Sequence, residues 1–117
     1  MEVNPVPQRG CLYWVGIPGE RTGKKRPALV ISIDARNRYA SDVLVVPAST
    51  VQRGAPTHVR LRKGEGGVRR ECVLKCEQIT TLSKELLSER ALGGELSGRI
   101  LEQVERRVLR SIGISVD

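Results

Sequence analysis

Phenylalanine is absent from the chain, and one tryptophan with two tyrosines completes the aromatic content of 117 residues. A ligand surface built on successive stacked rings therefore has little to draw on, since only Tyr13, Trp14 and Tyr39 could contribute. No apolar run approaches the ~20 residues that a membrane-crossing helix needs. The first ten residues, MEVNPVPQRG, lack the apolar stretch of a secretion signal. One histidine and three cysteines leave almost nothing from which to assemble a transition-metal site, and no cofactor is expected. Cys11, Cys72 and Cys76 are odd in number, which fits reduced thiols in a cytoplasm better than a disulfide framework. Missing too are a Walker-type Gly-Lys-Ser/Thr motif, HExxH, CxxC and GxSxG, so the commonest nucleotide, zinc, redox and serine-hydrolase chemistries have no carrier.

What the chain has in excess is positive charge. Twenty Lys and Arg against thirteen Asp and Glu give a formal net charge of +7. Such a surplus raises the local concentration of phosphates and points to nucleic acid, bound with strong salt dependence. The length suits one domain spanning residues 1–117.

Local patterns predict a mainly β chain with a C-terminal helix, an α+β arrangement. Residues 1–8, with Pro5 and Pro7, read as an extended arm. Cys11–Val15 is β-favouring, and 19–25 (GERTGKK) is a polar, basic loop. Ala28–Ile33 and Val43–Val46 are nearly all apolar, so their strands should be covered on both faces. Pro47 is expected to end or edge the second of these, and 34–42 to form a polar turn. Thr57–Arg62 alternates strictly, which turns His58 and Arg60 outward. Gly64–Gly67 is a turn, and Glu71–Leu82 continues as a strand with Cys72, Leu74 and Cys76 on its buried face. Ser83–Leu87 reads as a short helix. Ser97 is a candidate N-cap for a helix over 97–112, in which Ile100, Leu101, Val104, Val108 and Ile112 form one apolar stripe. A small, strongly bent sheet or barrel with a helix against it satisfies these patterns.

One constellation carries chemistry. At Lys24-Lys25-Arg26-Pro27 a basic loop enters a buried strand, and Pro27 holds Arg26 in extended geometry. A guanidinium fixed at a strand mouth can hold a phosphate bidentately. The next strand ends at Ser49-Thr50, so Arg26 and a hydroxyl meet at one rim if the strands are neighbours. Lys24, Lys25 and Arg21 are placed to hold further phosphates. His58 reads as a solvated surface residue and Trp14 as a core or interface residue.

These residues resemble the MazF/PemK toxins of type II toxin–antitoxin systems. The resemblance runs from Arg9-Gly10 through the C-terminal helix and rests on ordered motifs: RGCLYWV, KRPALVIS, Asn37-Arg38 before VLVVP, PTHVRL and CEQITTLSKELL. It implies an SH3-like small barrel of the PemK/CcdB type that acts as a homodimer. It also implies a metal-independent endoribonuclease cutting single-stranded RNA at short sequences, to leave 2′,3′-cyclic phosphate and 5′-hydroxyl ends. The family's catalytic arginine falls at Arg26. Its catalytic threonine falls at Ser49, which keeps the hydroxyl but loses the methyl that stiffens χ1; Thr50 takes the role if the turn shifts by one. The family's groove-side EQ pair falls at Glu77 and Gln78, and an acidic loop position at Glu20, a candidate proton acceptor. The partners implied are single-stranded RNA and a MazE-like antitoxin with an acidic segment; no membrane is implied. Two other readings stand beside this one, a CcdB-type gyrase-binding toxin and a noncatalytic RNA-binding module.

Overall fold

The computed structural model describes residues 6–19, 24–51 and 53–116. Most of the expected arm, at residues 1–5, and Glu20 and Arg21 of the basic loop lie outside them. The strands are β1 (Leu12–Gly16), β2 (Lys25–Val30), β3 (Asp42–Ser49), β4 (His58–Leu61), β5 (Cys72–Lys75) and β6 (Thr80–Ser83). Two α-helices, α1 (Asp34–Tyr39) and α2 (Gly98–Ser111), accompany them. All strand pairs are antiparallel, in the order β1-β2-β3-β5-β4, with β6 also on β3.

The fold is mainly β with a C-terminal helix. Its apolar runs are explained by two layers of core. Leu12, Leu29, Val46, Ala48, Val59, Leu61, Leu74 and Val104 pack in one cluster, which α2 covers. Tyr13, Val15, Ala28, Val30, Val43, Val45 and Leu82 pack in the other. β2 and β3 contribute to both, which is why their sequences hardly alternate.

Among the described residues the ladder stays open, a strongly bent sheet of the small-barrel type expected from the sequence. The strand order ends at β1 and β4. Irregular chain after β6 covers the free edge of β1 instead. Val15 forms a single bridge with Leu87, Ser88 N–H donates to Trp14 O, and Leu92 N–H donates to Leu12 O.

Further expectations are corrected. Glu71–Leu82 is not one strand. Val45 faces Thr80 and Ala48 faces Leu74, so two residues of β3 lie opposite five, and the surplus is coiled into a 3₁₀ turn at Cys76–Gln78. Pro47 does not end β3, which runs on to Ser49. Ile31 N–H donates to Leu44 O, so by alternation the Pro47 nitrogen faces away from β2, toward the turn where the ladder is broken anyway. The polar stretch after β2 is not a simple turn but holds helix α1. Asn37, fully buried, ties α1 down by donating to Ser32 O while accepting from Ser32 Oγ. β2 starts at Lys25 and stops at Val30, leaving Ile33 exposed.

At the other end, Ser97 Oγ accepts from Ile100 N–H and starts α2, a cap worth about 1 kcal/mol. Val104 is the residue of that helix's apolar stripe that is fully buried. Among the described residues no helix is long and apolar enough to cross a membrane.

Candidate nucleic-acid interface

The site forms where β3 changes partners. β2 and β3 pair from Val30↔Val45 to Ala28↔Pro47 and then part. Beyond that point β3 pairs with β5, through Ala48↔Leu74 and Ser49↔Val73. Carried two residues further, the β2–β3 register sets Arg26 opposite Ser49, across the gap that the parting opens. Arg26 is held from its other edge by the β1 ladder, opposite Val15. Pro27, with no N–H to satisfy, sits at the open edge.

A groove of about 500 Å³ fills this gap. Lys24, Lys25, Arg26, Ser49 and Thr50 line it, joined by Trp14, Arg69, Arg70, Cys72 and Lys75 among others. Among the described residues that line it, six side chains are cationic and none is acidic, so the groove favours a polyanion. Ser49 is buried, and its Oγ accepts from Val51 N–H at 3.1 Å. That bond orients the hydroxyl and leaves its proton available as a donor. Thr50 is exposed at the rim. Trp14 is half-buried on the wall rather than part of the core.

Arg69 and Arg70 escaped the sequence reading. They follow the Gly-rich turn, whose 3₁₀ segment Glu65–Gly67 bends the β4–β5 connection over the sheet. Gly67 has φ +91°, and a Cβ there would lie 2.4 Å from the backbone of Leu92. The turn thus packs backbone to backbone, which brings the two arginines to the groove wall. Two adjacent arginines after a glycine cluster were the signal available in the sequence. Cys72 also lines the groove, and burial pushes its thiol pKa up, as it does for Cys76, which is raised to about 12. Both are protonated, unreactive core residues.

Glu77 and Gln78 are not among the groove-lining residues. They sit on the 3₁₀ turn, exposed. Thr57 Oγ1 donates to Glu77 Oε1 at 2.7 Å, and His58 Nε2 lies 3.3 Å from Glu77 Oε2. Burial opposes the Glu77 charge, but the bonds from Thr57, its own backbone N–H and His58 outweigh it and hold the carboxyl below its usual pKa. His58 corrects the expectation of a solvated side chain: only 11% of it is exposed, and its Nδ1 is buried without a hydrogen-bond partner among the described residues. No group of three His, Cys, Asp or Glu side chains that could hold a metal ion is found among the described residues.

The sequence of residues 8–112 matches the family model described as PemK-like, MazF-like toxin of type II toxin–antitoxin systems. The chain belongs to this family. It is 27% identical to endoribonuclease EndoA of Bacillus subtilis over 114 residues, covering 93% of this chain and 97% of that protein. To endoribonuclease MazF of Staphylococcus saprophyticus it is 29% identical over 112 residues, covering 92% of each. Its fold superposes on an endoribonuclease in complex with its cognate antitoxin from a mycobacterial species. That match has a TM-score of 0.77 and 25% identity, over 95% of this chain and 99% of the other. The match takes in every described element from β1 to α2, so the groove at the β2–β3 parting lies wholly within the PemK/MazF domain.

Proposed function

We propose that this PemK/MazF toxin is a sequence-specific endoribonuclease that cuts single-stranded RNA in the groove between β2 and β3. The observation that carries this reading is that Arg26 and Ser49 both line one groove at the β2–β3 parting, with six cationic side chains and no acidic one among its described lining. Relatives named as endoribonucleases support it. The substrate's own 2′-oxygen attacks the adjacent phosphorus. As the O2′–P bond forms the P–O5′ bond breaks, the 2′-hydroxyl loses its proton and O5′ gains one. The products are a 2′,3′-cyclic phosphate and a 5′-hydroxyl. Because the nucleophile belongs to the substrate, no metal-activated water is required.

Arg26 supplies charge-assisted donors to the nonbridging oxygens as negative charge grows on them, and one such preorganised donor is worth ~3–4 kcal/mol. A guanidinium with a pKa above ~12 does not serve as the base. Ser49 donates to a nonbridging oxygen or to the attacking oxygen, with Val51 N–H fixing its orientation. The described lining holds no carboxylate or imidazole, so the 2′-hydroxyl proton passes to solvent or to a group outside it, Glu20 being the candidate. Lys24, Lys25, Thr50 and Arg21 bind substrate, and Glu77 and Gln78 read bases of a strand that continues past the groove.

The same charge suits an acidic antitoxin segment, which would fold into the groove in place of RNA; a structural relative is in complex with its cognate antitoxin. The protein acts as a single-domain homodimer in the cytoplasm, where its three free cysteines stay reduced.

The test is incubation of the purified protein with a long defined RNA in excess EDTA, followed by mapping of the new ends. Discrete EDTA-resistant cuts with 5′-hydroxyl ends are expected. Intact RNA in the presence of a folded dimer overturns the reading and favours gyrase binding or a noncatalytic RNA-binding module.

A further inference from the structure

A second basic pocket lies one strand away from the reacting hydroxyl. Ser49 of β3 faces Val73 of β5, and Val73 faces Arg60 of β4. Directly paired residues share a face of the sheet, so Ser49, Val73 and Arg60 form one row, with Lys75 and His58 in the next row of the same face. The intervening residues Ala48, Leu74 and Val59 turn to the opposite face and into the core. At about 4.8 Å between strands, Arg60 stands on the order of 10 Å from Ser49. There a cavity of about 390 Å³ is lined by Arg53, Gly54, Ala55, His58, Arg60 and Val73. Its volume is in the range of small-ligand sites. Among the described residues, two guanidiniums and an imidazole are its ionisable lining, with no acid among them.

We infer that this pocket is a nucleotide subsite, in which Arg53 and Arg60 hold the phosphate of a nucleotide flanking the cut on the same RNA strand. The inference rests on the proposed cleavage reading and extends it across the sheet. A strand bound at Arg26 and Ser49 and continuing along the row of Val73 reaches Arg60 without leaving this face. Lys75, which lines the first groove, pairs with His58, which lines the second, so the two cavities adjoin. The acids nearby do not bar a phosphate. Glu77 is spent on Thr57 and His58. Glu71 accepts from Arg60 at 3.0 Å, but that arginine is 65% exposed, and exposed pairs of this kind are weak enough to exchange for a phosphate. The path also passes the His58–Glu77 pair, which accounts for how Glu77 and Gln78 meet substrate although they lie outside the first groove.

The experiment measures equilibrium binding of uncleavable 2′-O-methyl oligoribonucleotides of mixed sequence, from dinucleotide to octanucleotide, as a function of salt. For the wild type, affinity and salt dependence are expected to rise with length. Together Arg53→Gln and Arg60→Gln should take about 0.7 from the slope of log K against log salt for the octanucleotide, the contribution of the one phosphate they share on a single strand, and each variant alone a part of it. The gain in affinity with length should shrink accordingly. Arg99→Gln, an exposed arginine on α2, controls for loss of charge alone. Unchanged slopes in both pocket variants, or an equal fall in Arg99→Gln, overturn the subsite while leaving the cleavage groove standing. A folded wild type that binds none of the oligonucleotides overturns the subsite and the cleavage reading together.

Discussion

Two serines at strand ends are almost equally hidden, Ser32 at 5% exposure and Ser49 at 8%, yet their hydroxyls are used in opposite ways. Ser32 Oγ donates to Asn37 Oδ1 and accepts from Leu44 N–H at 3.0 Å, while Asn37 Nδ2 closes the loop onto Ser32 O at 2.9 Å. Donor and acceptor are both spent, and nothing remains for a ligand. Ser49 accepts a single bond from Val51 N–H and keeps its proton, beside a guanidinium and a groove of cations. A buried hydroxyl with its capacity exhausted braces the fold. One with a donor to spare at a charged opening is equipped for substrate.

The largest expected break in this comparison is on the groove side. Arg26→Ala removes the guanidinium across from Ser49 and should cut cleavage by about 100- to 1,000-fold, the usual loss for one preorganised oxyanion donor. Urea denaturation should show a stability close to wild type, since this side chain is only half-buried at the strand mouth. Undiminished cleavage would remove Arg26 from the reaction. On the bracing side, Asn37→Ala strands the Ser32 hydroxyl and carbonyl without partners and should cost about 2–4 kcal/mol in the same denaturation. A loss below about 1 kcal/mol would mean that α1 is held by something other than this network.

That contrast also separates what the sequence revealed from what it hid. Apolar runs such as Ala28–Val30 and Val43–Val46 announce doubly covered strands, because burial on two faces removes alternation. Arg26-Pro27 and the Ser-Thr pair after VLVVP were visible as a basic strand mouth and a terminal hydroxyl. Invisible were the consequences of register. The three-residue surplus at Cys76–Gln78 breaks a segment that alternates well enough to pass for one strand. It is that turn, not any propensity of Pro47, that lets β3 continue through a proline. Asn37 reads locally as a turn residue, since its buried role depends on Ser32 and Leu44 lying beside it. Arg69 and Arg70 went unnoticed because the backbone contact of Gly67 with Leu92 that carries them to the groove joins residues far apart in sequence.

A smaller effect sharpens the groove side of the comparison. Ser49→Ala should lower single-turnover cleavage by about 10- to 100-fold, in line with the loss of one hydrogen bond to a charged group. Stability should change by less than about 1 kcal/mol, because only the bond from Val51 N–H is lost from the fold. Thr50→Ala, at the exposed rim, should cost less activity. The reverse ranking transfers the hydroxyl role one residue along the turn and would make Ser49, like Ser32, a bracing serine.

The smallest effect concerns a third hydroxyl, Thr57, which is neither buried in a network nor free but given to Glu77. That bond, with those from the Glu77 backbone and His58, keeps the Glu77 pKa below its unfolded value despite the opposing influence of burial. A carboxyl depressed by folding contributes stability above its unfolded pKa and loses it as pH falls through the folded one. Wild-type stability should therefore decline below about pH 4.5 with a component that Glu77→Gln lacks. Chemical denaturation at pH 7 and pH 3 checks this: the wild type should lose more between the two than the variant does. Equal losses would show that the Thr57–Glu77–His58 contacts do not persist in solution. Thr57 would then join Ser49 as a hydroxyl with a donor to spare, on the path proposed for the substrate strand.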